Sequence, residues 1–384
     1  MAPFRLTATC PYTGARGGEL ITPHGTVLTP AFAPVASAGV VKTLSPEELR
    51  GVGVGLLLTN AYHLMLRPGL EAITALGGLH RFMAWDGPIV SDSGGYQVFS
   101  LARLVKVSEE GVVFRSHIDG SRHSLSPEES VALQEGLGAD VIMALDQPTA
   151  YGVGCEEADG AAQRTARWAV RCLQALRGGG ELWGIVQGGT FADLRRQSAE
   201  HMASLGFPGF AIGGLCLGES REEMWRMVEA SVAPLPPASP RYLMGVGSPE
   251  ELVEAVSRGV DLFDSALPTR IARNGSLLTG KGRINIGNSR FQRREAPVEE
   301  DCPCYTCRTY SAAYLSHLFR TGETLGLRLA TLHNLTFIMG LMARMRDAIR
   351  QGTFPRFREE FLSGYRPTDE AERLARRRQR GREG

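Results

Sequence analysis

Three cysteines within six residues, Cys302-Pro303-Cys304-Tyr305-Thr306-Cys307, and two aspartates at the ends of β-rich runs, Asp92 and Asp264, are the side chains most able to do chemistry. Thiolates this closely spaced suit Zn²⁺, which takes four tetrahedral nitrogen or sulfur donors. The cluster supplies three, so one ligand is missing, and histidines are the candidates. Two lie downstream: His333, at the start of an amphipathic run where an imidazole would cross-link helix and loop, and its rival His317. Four protein ligands leave no position for water, so one structural zinc per chain is expected. A loop of three exposed free thiols would be prone to oxidation, which argues against the unmetallated alternative.

Paired carboxylates at a glycosidic bond divide the work: one attacks or stabilises the anomeric carbon, and the other handles the proton of the leaving group. An aspartate after a strand also serves as the N-cap of the next helix. Glycines beside Asp92 (Gly94-Gly95) and after another β-rich run (Gly213-Gly214) favour the first use, because they let a ligand approach the backbone closely. Asp146 and Gln187 add an acceptor and an amide, suited to the edge of a guanine-like base. Tyr96 offers an aromatic face and Met244 a thioether, although both residue types also serve core packing.

These residues need a scaffold that gathers them. Short apolar runs at 88–91, 141–145, 182–186, 210–212, 242–244 and 260–263 end at Asp92, Asp146, Gln187, Gly213, Gly245 and Asp264, and helical stretches follow. Ser45-Pro46-Glu47-Glu48, Ser126-Pro127-Glu128-Glu129 and Ser248-Pro249-Glu250-Glu251 read as capping boxes with proline at the first helical position, and Ser220-Arg221-Glu222-Glu223 is the same without proline. Strands alternating with capped helices mean βα units and a parallel sheet. An open doubly wound sheet shares the alternation, but the chain length and the number of loaded strand ends favour a (β/α)₈ barrel, whose mouth collects every strand end. Gly51-Val52-Gly53-Val54-Gly55 lacks dinucleotide-loop spacing and reads as a strand entry. The expected layout is capping strands over 1–40, barrel over 41–287, a small zinc subdomain and final helices over 288–361, and an arginine-rich tail over 362–384. Within the subdomain, helices are expected over 311–327 and 333–349, with Leu335, Ile338, Met339, Met342 and Met345 as core.

Composition sets further bounds. The 384 residues carry 43% hydrophobic and 22% charged content and a formal charge of +1, an ordinary globular balance with no global pull on nucleic acid. RNA would need a local basic surface, which Arg270, Arg273, Lys281 and Arg283 offer; Arg373, Arg376, Arg377, Arg378, Arg380 and Arg382 in the tail read as solvated charge. No run suits a signal peptide or a membrane helix, and seven cysteines with three clustered suit a reducing compartment, so a cytoplasmic location is expected.

Together, Asp92-Ser93-Gly94-Gly95-Tyr96-Gln97-Val98, Gly184-Ile185-Val186-Gln187-Gly188-Gly189, Gly213-Gly214-Leu215, Tyr242-Leu243-Met244-Gly245-Val246-Gly247, Phe263-Asp264, Leu267-Pro268-Thr269-Arg270, Arg273-Asn274-Gly275 and the Cys302, Cys304, Cys307, His333 set closely resemble the bacterial tRNA-guanine transglycosylase family. The resemblance implies exchange of the wobble guanine of a tRNA anticodon for a 7-deazaguanine-type base. It assigns Asp264 as nucleophile and Asp92 as general acid/base. It places the base against Asp146, Gln187, Gly214 and Leu215, between Tyr96 and Met244, with Glu219 near its substituent. Arg270, Arg273 and Asn274 would meet the anticodon, and the chain would form a homodimer supported by its zinc subdomain. Gln147-Pro148 replaces the usual Glu-Cys, so pocket shape departs from the family pattern. The default incoming base is 7-aminomethyl-7-deazaguanine; direct queuine salvage, a non-catalytic tRNA-binding subunit, and release of free base to water are the alternatives.

Overall fold

The computed structural model describes residues 4–101 and 103–375. The chain opens with an antiparallel sheet, β1 (Phe4–Thr9), β2 (Arg16–Thr22) and β3 (Gly25–Thr29). Three strands of a second sheet follow, β4 (Ala31–Pro34), β5 (Leu57–Asn60) and β6 (Ile89–Asp92), then an antiparallel insertion of β7 (Arg103–Val107), β8 (Val112–Arg115) and β9 (Arg122–Leu125). The second sheet resumes with β10 (Val141–Met143), β11 (Glu181–Val186), β12 (Phe210–Ile212), β13 (Arg241–Leu243) and β14 (Leu262–Ser265). A hairpin of β15 (Ser276–Thr279) and β16 (Gly282–Asn285) comes last.

All eight strands of the second sheet are parallel, in the order β4-β14-β13-β12-β11-β10-β6-β5, and a bridge between Val35 and Leu58 brings the two edges together. The sheet is therefore a nearly closed eight-stranded barrel, as the loaded strand ends suggested. Inward side chains such as Val90, Val141, Trp183, Ala211, Tyr242 and Leu262 form one apolar cluster, which Phe4, Leu20 and Val27 of the N-terminal sheet join. Outward side chains such as Ile142, Val186 and Phe210 pack under the helices. Arg16 of β2 donates to both oxygens of Asp261, at 2.9 and 2.5 Å, and so ties the N-terminal sheet to the start of β14.

Two of the three proline-led caps form complete capping boxes, at Ser45 and Ser126. Ser248 does not: its hydroxyl makes no cap bond. Glu250 and Glu251 turn instead to Arg221, at 2.9 and 3.7 Å, and Glu251 also meets Arg373 at 3.5 Å. Arg373, expected in a solvated tail, is buried, with its guanidinium on Glu370 and on the Glu219 carbonyl. Arg376, Arg377, Arg378, Arg380 and Arg382 lie outside the described residues.

After β16 the chain forms a second, smaller apolar cluster around Leu277, Ile286, Phe291, Leu315 and the three clustered cysteines. The helix expected over 311–327 is broken at Gly322, which takes φ +75°, giving Ala312–Thr321 and then Thr324–Arg350. His333 thus lies inside a long helix rather than at a helix start. By length and composition Thr324–Arg350 would span a membrane, but 67% of its apolar window is buried, with Leu335, Ile338, Met342 and Met345 in the core. It packs on β2, β4 and β15 and joins the metal-type cluster to the barrel wall.

Candidate active site

Strand alternation explains why Asp92 and Asp264 meet. Along β14, Leu262 faces the barrel interior and Phe263 the helices, so Asp264 points inward again; along β6, Ile89 faces out and Val90 in, which turns Asp92 inward. Asp92 lies opposite Asn60 of β5, and Asp264 lies opposite Ala33 of β4. β4 and β5 close the barrel between them, so the carboxylates face one mouth across two strands.

One oxygen of Asp264 is fixed and the other is left open. Oδ1 accepts from the Tyr242 hydroxyl at 2.5 Å and from Gly245 N at 2.9 Å, while Oδ2 carries no hydrogen bond among the described residues. Burial raises the Asp264 pKa, and the Tyr242 and Gly245 bonds oppose it. Burial and the charges of Asp264 and Asp92 push the Tyr242 phenol well up, so it stays a donor. Asp92 is held at both oxygens: Oδ1 accepts from Ala61 N at 3.0 Å and Gly94 N at 3.2 Å, and Oδ2 from the Asn60 amide and from Gln97 Nε2 at 2.7 Å. Burial nevertheless lifts Asp92 to about 7, and the Asp264 charge adds to the rise. A nucleophile-like carboxylate thus faces a carboxyl poised near neutrality, an acid–base pairing set by environment.

Asp146, just past β10, accepts from Ser93 Oγ at 3.2 Å and from Gln187 Nε2 at 2.6 Å, and burial raises it to about 6. The Gln187 carbonyl oxygen is buried with no protein partner. The glycines expected to admit a ligand make room first for these side chains. A Cβ on Gly95 would lie 3.0 Å from Asp146 Oδ1, and one on Gly214 would lie 2.3 Å from Gln187 Oε1. Gly94 and Gly214 also take φ +82° and +67°.

Glu219 is 1% exposed and its carboxylate turns onto its own loop, accepting from the backbone N–H of Cys216, Leu217 and Gly218. Its first role is to shape that loop, whose Leu215 is buried and whose Cys216 takes φ +66°. A cavity of about 10 Å³ is lined by Tyr151, Gly189, Gly214, Leu217 and Glu219. A larger one, about 620 Å³, lies among outer helices near Cys155 and Arg226 and shares no residue with the carboxylates. Gln147 turns away from the site to Arg164 Nη1 at 2.6 Å, leaving buried Pro148 in the wall. Tyr96 is half exposed rather than core, and Met244 is partly buried on the interior cluster.

Helix Leu267–Arg273 starts directly after β14 and carries Arg270 and Arg273 on partly exposed positions, with exposed Asn274 at its C-terminal end. Lys281 is exposed in the β15–β16 turn, and partly exposed Arg283 donates to Ser276 Oγ. Farther off, Cys302, Cys304 and Cys307 place their sulfurs 3.6, 3.5 and 3.3 Å from His333 Nδ1. His333 Nε2 donates to the Leu278 carbonyl at 2.7 Å, which leaves the Nδ1 lone pair facing the three sulfurs. His317 is exposed on another helix and takes no part.

Asn60 and Tyr242 were not singled out from sequence as site residues. Each sits on a neighbouring strand one side chain away from a catalytic-type carboxylate, and only strand order reveals that.

The barrel and its paired carboxylates define an enzyme of the glycosyl-transfer type, with chemistry at the C-terminal ends of the strands. A family model described as Queuine tRNA-ribosyltransferase matches residues 10–367. Proteins named queuine tRNA-ribosyltransferase are similar over nearly the whole length. That of Pelotomaculum thermopropionicum is 55% identical over 94% of this chain and 98% of its own. One from Dehalococcoides mccartyi is 52% identical over 97% and 95%, and that of Moorella thermoacetica 52% over 92% and 95%. The chain belongs to the queuine tRNA-ribosyltransferase family.

Proposed function

We propose that the chain exchanges the wobble guanine of target tRNA anticodons for 7-aminomethyl-7-deazaguanine through a covalent glycosyl-Asp264 intermediate. The observation that carries this reading is the asymmetric Asp264 carboxylate, one oxygen anchored and the other free, facing an Asp92 carboxyl lifted to about 7. Asp264 Oδ2 attacks the ribose anomeric carbon as the bond to guanine breaks. The bonding pair leaves on the base, which takes a proton from Asp92. The incoming base returns a proton to Asp92 and attacks the same carbon, freeing Asp264. Two displacements retain configuration and consume no ATP.

Asp146, Gln187 and the backbone at Gly214 and Leu215 hold the base edge, and Tyr96 and Met244 stack on its faces. Arg270, Arg273, Asn274, Lys281 and Arg283 receive the anticodon backbone as a local basic surface. Glu219 positions the loop that meets the substituent. The cysteine cluster supports a structural Zn²⁺: a tetrahedron with metal–ligand bonds of about 2.2 Å has edges of about 3.6 Å, close to the sulfur–nitrogen spacings here. When bound, the metal cross-links the subdomain and supplies no reactive position. Exposed Tyr305 and Tyr314, which Tyr310 joins edge-on to the first and stacked on the second, supply an aromatic surface for a homodimer. A cytoplasmic location suits a tRNA substrate and free thiols.

The test is Asp264→Asn. It should abolish both labelled-guanine incorporation into tRNA and the denaturant-stable tRNA adduct; an adduct that persists removes Asp264 from the nucleophile role. Binding of tRNA by the wild-type chain without incorporation would favour the non-catalytic subunit instead.

A further inference from the structure

Arg195 is 0% exposed at the heart of the site's support, on helix Ala192–Ser204. Its Nε donates to the Gly189 carbonyl at 2.7 Å, and Nη1 and Nη2 both donate to the Gly213 carbonyl at 3.1 Å. Longer bonds reach the Gly214 carbonyl at 3.4 Å and Ser231 Oγ at 3.5 Å. No carboxylate pairs with it among the described residues; the Glu219 charge acts on it only across space. A buried guanidinium without an ion pair is costly, and a methionine of similar size would fill the same volume without that cost.

The bonds it makes show what the charge does. The Gly213–Gly214 peptide is trans, so the Gly214 N–H points opposite to the Gly213 carbonyl, away from the guanidinium. Among the described residues no protein acceptor meets that N–H. Beside it stands the unpaired Gln187 carbonyl oxygen, 2.3 Å from where a Gly214 Cβ would begin. A free donor and a free acceptor side by side next to Asp146 match the carbonyl and N–H edge of guanine.

We infer that Arg195 is a positioning residue for base departure: it fixes and polarises the Gly213–Gly214 peptide so that the Gly214 N–H stabilises negative charge on the carbonyl of the leaving base. The inference rests on the transglycosylase reading. As the bond to the anomeric carbon breaks, its electron pair spreads through the purine onto the exocyclic oxygen. A pre-aimed amide backed by a fixed cation meets that charge without reorganising.

The experiment measures single-turnover adduct formation on anticodon stem-loops carrying guanine or the more acidic 8-azaguanine at the wobble position. Arg195→Gln, which removes the charge, should slow guanine release roughly 10- to 100-fold at unchanged KM for RNA. It should slow 8-azaguanine release less, because a better leaving base needs less help. Arg195→Lys, which keeps the charge, should stay within about 10-fold of wild type and decides the matter if the glutamine variant does not fold. Equal slowing for both bases in either variant would overturn the inference, as a merely structural arginine predicts. A wild-type chain that forms no adduct with guanine would overturn the transglycosylase reading itself.

Discussion

Asp92 is a carboxyl whose burial outweighs four hydrogen bonds that favour its charged form, and this sets the pH at which it still holds a proton. In the proposed mechanism guanine release needs Asp92 protonated, so its rate should fall as pH rises through about 7. It should also fall at low pH, where Asp264 takes a proton. The Asn60 amide lowers the Asp92 pKa, so Asn60→Ala should move the alkaline limb upward. A limb that stays in place in single-turnover pH profiles would dissociate that limb from Asp92. Asp146 titrates on the other side: raised to about 6, in the proposed mechanism it would accept base N–H groups fully only above that pH. Guanine affinity measured by calorimetry should therefore weaken as pH falls below about 6, and a flat profile between pH 5 and 7 would separate base binding from Asp146.

Helix Thr324–Arg350 does two jobs at the scale of elements. Its apolar residues line the barrel wall and its His333 completes the cysteine group. Removing His333 takes one corner from the tetrahedron and leaves the Leu278 carbonyl without its donor. His333→Ala should reduce zinc from one per chain to well below it and lower stability by roughly 3 kcal/mol or more. Full zinc content by metal analysis in that variant would place the fourth ligand elsewhere. The loop from Gly213 to Gly218 is a second element under tight control, with Glu219 bonding its N–H groups from within and Arg373 gripping the Glu219 carbonyl.

At the scale of the whole molecule, the barrel mouth, the basic stretch after β14 and the cysteine-bearing subdomain follow one another along the chain. Tyr305, Tyr310 and Tyr314 belong to that subdomain, with Tyr310 edge-on to Tyr305 and stacked on Tyr314, and Tyr305 and Tyr314 exposed. If the proposed homodimer forms there, Tyr305→Ala with Tyr314→Ala should shift it toward monomer in sedimentation velocity, with little change in melting temperature. A wild-type monomer at micromolar concentration would discard the homodimer.

Local chemistry is what the sequence determined unaided. Proline-led caps at Ser45 and Ser126 work through contacts three residues apart, and the cysteine cluster is nearly complete within six residues, so both are legible without a fold. The barrel followed from loaded strand ends, because parallel strands must deliver their C-termini to one side. Tertiary structure decided the rest, through partners distant in sequence. It chose His333 over His317, set Tyr242 on Asp264 and Asn60 on Asp92, and turned the glutamates after Ser248 toward Arg221 and Arg373. It also buried Arg195 behind two glycine turns. Nothing in the residues around an arginine on a helix reports which carbonyls will face it, because strand order and barrel closure place them there.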